Sequence, residues 1–144
     1  MTNTKRQWLL GLAAATALAG VAAAQLPRSA APAGAKVYFI EPQNGATVSG
    51  PVVVRMGLSG MGVAPAGITF ANTGHHHILI NQPSVDMSQP LPMTDTIRHF
   101  GGGQTEASLA LPPGTYQLQL VLGDHLHIPH NPPVVSDVIT ITVR

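Results

Sequence analysis

Apolar and polar residues alternate with period two along most of this chain, and turn residues interrupt the alternation every ten or so positions. That rhythm predicts short antiparallel strands. Residues 36–40 (KVYFI) predict the first strand, closed by EPQNG at 41–45. Residues 52–58 (VVVRMGL) predict the second, with Val52, Val54, Met56 and Leu58 on one face, and Thr47-Val48 can add a short edge piece before Pro51. A Gly- and Pro-rich loop at 59–74 leads to a third strand at 75–80 (HHHILI). Residues 81–97, with Pro83, Pro90 and Pro92, read as an irregular crossing that has room for one short edge strand. Residues 105–111 predict the next strand, ended by Pro112-Pro113-Gly114. Residues 115–122 (TYQLQLVL) put Tyr116, Leu118, Leu120 and Leu122 on one side, and residues 134–143 form the last strand. No segment carries a helical period.

Six or seven such strands in ~110 residues predict an all-β fold, an immunoglobulin-like antiparallel β-sandwich of about seven strands. Tyr116, just after the PPG turn at the start of the penultimate strand, stands where such folds place a tyrosine corner. In that topology the connections before the third strand, before the fifth and after the sixth lie at one end. All seven histidines (His75, His76, His77, His99, His125, His127 and His130) are therefore expected together at that end.

The beginning of the chain has a different character. Lys5 and Arg6 precede an apolar run at 8–24, and Ala22 and Ala24 fit the A-x-A pattern of a signal-peptidase site. Residues 1–24 are expected to be a signal peptide, 25–35 (QLPRSAAPAGA) a flexible linker, and 36–144 the sandwich domain. The run is short for a spanning helix, so the expectation is a periplasmic or secreted protein without stable membrane insertion. Removing Lys5 and Arg6 from the seven basic residues leaves five against six acidic ones. No basic stripe remains to neutralise phosphates, which argues against a nucleic-acid partner. With no cysteine, packing alone must hold the fold.

Alternation puts His75 and His77 on one face, ~6.6 Å apart along the strand, a spacing that lets two imidazoles converge on one ion. His125 and His127 repeat the H-x-H pattern, with His130 three residues on and His99 on another connection. Neutral imidazole is a common ligand of zinc and copper. Asp124 is the candidate to orient a ligand ring from outside by accepting its second N–H. His76 faces the same way as Ile78 and Ile80 and is a supporting or core residue. The absence of cysteine removes blue-copper and zinc-thiolate centres, and the scarcity of acidic oxygens disfavours calcium. Met56 reads as packing, while Met61 lies in a loop near the histidine end.

Catalytic motifs are weaker. GLSGMG at 57–62 departs from a nucleophile elbow because Met61 stands where its second glycine belongs, and GMGVAP is no dinucleotide loop. No pair of carboxylates is placed for acid–base work, and Trp8 leaves with the signal, so no sugar-binding platform is evident.

The segments LSGMGVAPAG (58–67), NTGHHHILI (72–80), HFGGGQTE (99–106), LPPGTYQLQLVLGDH (111–125) and HIPHNPPVVS (127–136) resemble a bacterial family of secreted domains of unknown function, some of whose members carry rod-shape-determining or ATPase labels. The resemblance implies an exported single-domain protein with the histidine motifs in place, and brings no activity, cofactor or substrate. The chain has no phosphate-binding loop that an ATPase would need. The expectation is a metal-binding protein for copper or zinc rather than an enzyme. The alternatives are a cell-envelope binding module whose histidines form a hydrogen-bonded network, and a metal-dependent hydrolase or oxidoreductase.

Overall fold

The computed structural model describes residues 24–82 and 84–144, so the expected signal peptide, Ala24 apart, lies outside the described residues. The period-two segments become β1 (Lys36–Glu41), β2 (Thr47–Val48), β3 (Val52–Ser59), β4 (Gly62–Val63), β5 (Thr73–Ile80), β6 (Ile97–His99), β7 (Glu106–Leu109), β8 (Gly114–Gly123) and β9 (Ile139–Val143). The described residues contain no helix long and apolar enough to cross a membrane. The strands form two sheets, one ordered β1-β3-β7 and one ordered β2-β9-β8-β5-β4, with β6 also paired to β5. Pairing is antiparallel except at the short β2–β9 and β4–β5 contacts.

The two sheets close on the faces that alternation assigns. Val37, Val52, Val54, Met56 and Leu109 from the smaller sheet meet Ile78, Ile80, Leu118, Leu120, Leu122, Ile139, Ile141 and Val143 from the larger one. Each such side chain contributes roughly 1.5–3 kcal/mol by leaving water. A second, smaller core lies on the outer face of the larger sheet, where Leu79, Ile97, Val121 and Leu91 pack together with Val85 and Met87. The crossing segment before β6 supplies Leu91 and covers that face. As a result β5 is buried on both faces from Gly74 to Ile80, although its sequence begins with three polar rings.

Residues 134–138, expected as strand, follow β8 without continuous pairing. Ser136 inserts its hydroxyl into the ladder, accepting the Leu120 N–H at 2.8 Å and donating to Asp137 O at 2.7 Å. Regular pairing resumes at Ile139. Tyr116 forms the corner its position predicts, with its hydroxyl donating to Pro112 O at 2.8 Å. Tyr116→Phe removes that bond and little else, so urea denaturation should show a loss of about 1 kcal/mol; an unchanged midpoint would mean that the bond adds nothing to stability.

Candidate metal centre

Strand geometry brings the histidines together before any loop is considered. His75 and His77 alternate with Leu79 and therefore project from the outer face of the larger sheet, away from the main core. Across the β5–β6 pairing His77 stands directly opposite His99, and directly opposite residues share a face. On the other side His75 stands opposite Gly123. A Cβ at Gly123 would lie 2.6 Å from His77 Cε1 and 3.3 Å from the His127 Cα, so the glycine leaves the space that the rings occupy. Gly101 does the same for His99, whose Nε2 would lie 2.6 Å from a Cβ there.

The fourth ring comes from the loop after β8. The Asp124 carbonyl accepts the His127 N–H at 2.9 Å, and the Asp124 carboxylate Oδ1 accepts the N–H groups of Leu126 (2.9 Å) and Ile128 (3.1 Å). This tight turn puts His127 at φ 65°, a left-handed conformation uncommon for residues other than glycine. Leu91 N–H holds the His127 carbonyl at 2.9 Å from the other side.

His75, His77, His99 and His127 thus form one group whose candidate ligand atoms all lie within 4.8 Å of one another, and which could hold a metal ion. His75 Nε2 is 2.9 Å from His127 Nδ1 and 3.1 Å from His99 Nε2. The His77 and His99 rings stack with centroids 5.0 Å apart, and the His127 ring stands edge-on to His99 at 4.3 Å. His75 and His77 are fully buried, while His99 and His127 are partly exposed. The buried nitrogens His75 Nδ1, His77 Nδ1 and His77 Nε2 have no hydrogen-bond partner among the described residues.

Burial favours the neutral form of three of these rings, His75, His77 and His99. It pushes His77 down to about 2, helped by the charge that His75, His99 or His127 would carry. It pushes His75 down to about 4, with His127 and His99 acting the same way. His99 is lowered by burial and then by His127. At neutral pH His75, His77 and His99 therefore offer lone pairs rather than N–H⁺ donors, the state in which imidazole binds a metal.

The other sequence candidates lie elsewhere. His125 is partly exposed and outside the group of four; its carbonyl accepts the Gly67 N–H at 2.9 Å. His130 is fully buried, with Nε2 placed to donate to Thr73 O at 3.1 Å, and it ties the start of β5 to the loop after β8. His76 points into the sandwich on the opposite face of β5, its two ring nitrogens unpartnered, and burial lowers it to about 4. Met61 packs against the main core. Asp124 touches no ring nitrogen. Burial alone would raise its pKa, but hydrogen bonds from Leu126, Ser29 and Ile128, and the nearby His125, outweigh it and leave the carboxyl below its usual range. Its effect on the group passes through the backbone of His127. Sequence reasoning missed Gly123, whose lack of a side chain makes the room; the glycine beside the histidine in GDH was the available signal.

The profile of a family described as Domain of unknown function (DUF4399) matches residues 54–144, which include all seven histidines, and the chain belongs to that family. No curated protein and no solved structure matches it.

Proposed function

We propose that this DUF4399 chain binds a transition-metal ion through His75, His77, His99 and His127, and that it stores or carries the ion rather than turning over a substrate. One observation carries the proposal: four imidazoles converge within 4.8 Å while three buried ring nitrogens among them have no partner among the described residues. An unpaired buried polar group costs roughly 1–3 kcal/mol, and an ion at the centre bonds one lone pair on each ring, His77 included. Four protein ligands fill a four-coordinate shell, whereas catalytic zinc keeps a position open for water. No carboxylate belongs to the group to act as a base.

A hydrogen-bonded network of rings is the alternative that the 2.9 and 3.1 Å contacts favour. Both contacts end on the same atom, His75 Nε2, which has either one proton or one lone pair to offer. If it accepts, the proton sits on the partnerless Nδ1, and His77 gains nothing in either case. The network leaves its own members unsatisfied.

Between the two candidate ions, copper(II) is preferred. An all-nitrogen set without thiolate suits both copper and zinc, and the general affinity order puts copper(II) first. Export to the periplasm is part of the proposal, supported by Lys5 and Arg6, the apolar run and the A-x-A sequence ending at Ala24. The test is elemental analysis of untagged protein, followed by competitive calorimetric titration with copper(II) and zinc(II). Near-stoichiometric copper, bound more tightly than zinc, is expected. Binding of either ion no tighter than ~10 μM would sink the proposal.

A further inference from the structure

Residues 25–35 (QLPRSAAPAGA) have the composition of a linker, yet residues 28–31 make five hydrogen bonds to the loop that carries His127. Arg28 donates through Nε to Pro129 O at 3.0 Å and through Nη2 to His130 O. Asn131 N–H donates to Ser29 O at 2.9 Å, and Ala31 N–H donates back to Asn131 O at 3.2 Å, as in a short parallel bridge. Ser29 Oγ donates to Asp124 Oδ2 at 2.8 Å. The last bond is the informative one. The second oxygen of the same carboxylate holds Leu126 and Ile128, on either side of His127. A continuous chain of bonds therefore runs from Ser29 through Asp124 to a residue held at φ 65°.

His127 is also the ligand with the least support of its own. His75, His77 and His99 stand on paired strands whose register fixes them, whereas His127 depends on its turn. We propose that Arg28 and Ser29 are positioning residues for His127, so that residues 28–31 form a strap that completes the fourth ligand of the centre. This rests on the metal-binding role proposed above. The strap touches no candidate ligand ring; it acts through the Asp124 carboxylate and the carbonyls of Pro129 and His130. With the strap released, the three strand-borne imidazoles persist, and the fourth keeps only the bonds of its own turn and the one from Leu91.

The experiment is a double-mutant cycle in the full chain, with copper(II) as the probe. Arg28→Ala/Ser29→Ala, and Ser29→Ala alone should the double variant fold poorly, are compared with His127→Ala and with the combined variant. The strap variants should weaken copper binding about tenfold to a hundredfold, the range typical of groups that orient a ligand. Electron paramagnetic resonance should show one coordinated nitrogen fewer. In the His127→Ala background the strap substitutions should cost no further affinity, because the residue they position is gone. Ser29→Thr, which keeps the hydroxyl, should retain the wild-type spectrum. A strap variant with wild-type affinity and nitrogen count, or an equal loss in both backgrounds, overturns the positioning role and leaves the metal centre standing. A wild type that takes up no copper overturns both.

Discussion

Replacing His77 with leucine is expected to make the metal-free protein more stable, by roughly 1–3 kcal/mol, while lowering copper affinity more than about a hundredfold. The two effects have opposite signs because the side chain has opposite value in the two states. His77 is 1 % exposed and both of its ring nitrogens lack partners. Without metal it is a buried polar group with its hydration lost and nothing gained in return. Leucine is close in volume and puts apolar atoms in its place. With metal, His77 is one of four ligands, and its loss removes a bond that no neighbouring side chain replaces.

His130 provides the contrast. It is as deeply buried, but its Nε2 is placed to donate to the Thr73 carbonyl. His130→Leu leaves that carbonyl unpaired and should destabilise the metal-free protein by about 1–3 kcal/mol, with the four candidate ligand rings still present. Urea denaturation followed by circular dichroism in the presence of chelator, together with copper titration of each variant, measures both quantities. If His77→Leu destabilises the metal-free protein as His130→Leu does, the rings hold one another together. A structural network would then replace the metal centre.

The contrast between those two histidines also marks what local pattern can convey. The sandwich was legible because alternation is a local property; Val52, Val54 and Met56, or Leu118, Leu120 and Leu122, announce a buried face without reference to any other strand. His75 and His77 share a face for the same reason. His99 needed more, because its place depends on the register of a three-residue strand against β5, which nothing in RHFGGG encodes. The repeat at His125 and His127 was misleading for a physical reason. The H-x-H rule presumes extended backbone, and Asp124 instead curls the chain so that only His127 joins the group. The burial of the outer face of β5 owes much to the crossing segment, whose irregular sequence carries no period to read. Composition hid the strap as well, since two polar side chains among alanines and prolines anchor it.

Acid is expected to unfold the metal-free protein steeply between pH 6.5 and 4, and bound metal to move the midpoint downward. In the unfolded chain His75, His76 and His77 take up protons near their ordinary value of 6.5. In the folded protein burial lowers His75 and His76 to about 4 and His77 to about 2. Folded values below unfolded ones mean that stability is complete above pH 6.5 and is lost as the pH falls toward the folded values. Each histidine takes away about 1.4 kcal/mol per pH unit in that window, so three remove about 4 kcal/mol per unit. A domain with a stability of about 5–15 kcal/mol does not survive many such units. Asp124, whose folded pKa lies below its ordinary 3.8, adds its own loss only at lower pH, which keeps the two causes separable. Copper at a hundred times its dissociation constant adds about 2.7 kcal/mol to the folded state. Against a slope of about 4 kcal/mol per unit, that moves the midpoint down by about 0.7 pH unit. His76 separates folding from binding, since it lies on the core face and outside the group of four. His76→Leu should reduce the slope by about a third, so that the same copper stabilisation moves the midpoint by about 1 pH unit. Circular dichroism against pH, with and without copper, reads all of these quantities. A midpoint that copper does not move would remove the centre, and a transition confined below pH 4 would show that the buried histidines are not what acid attacks.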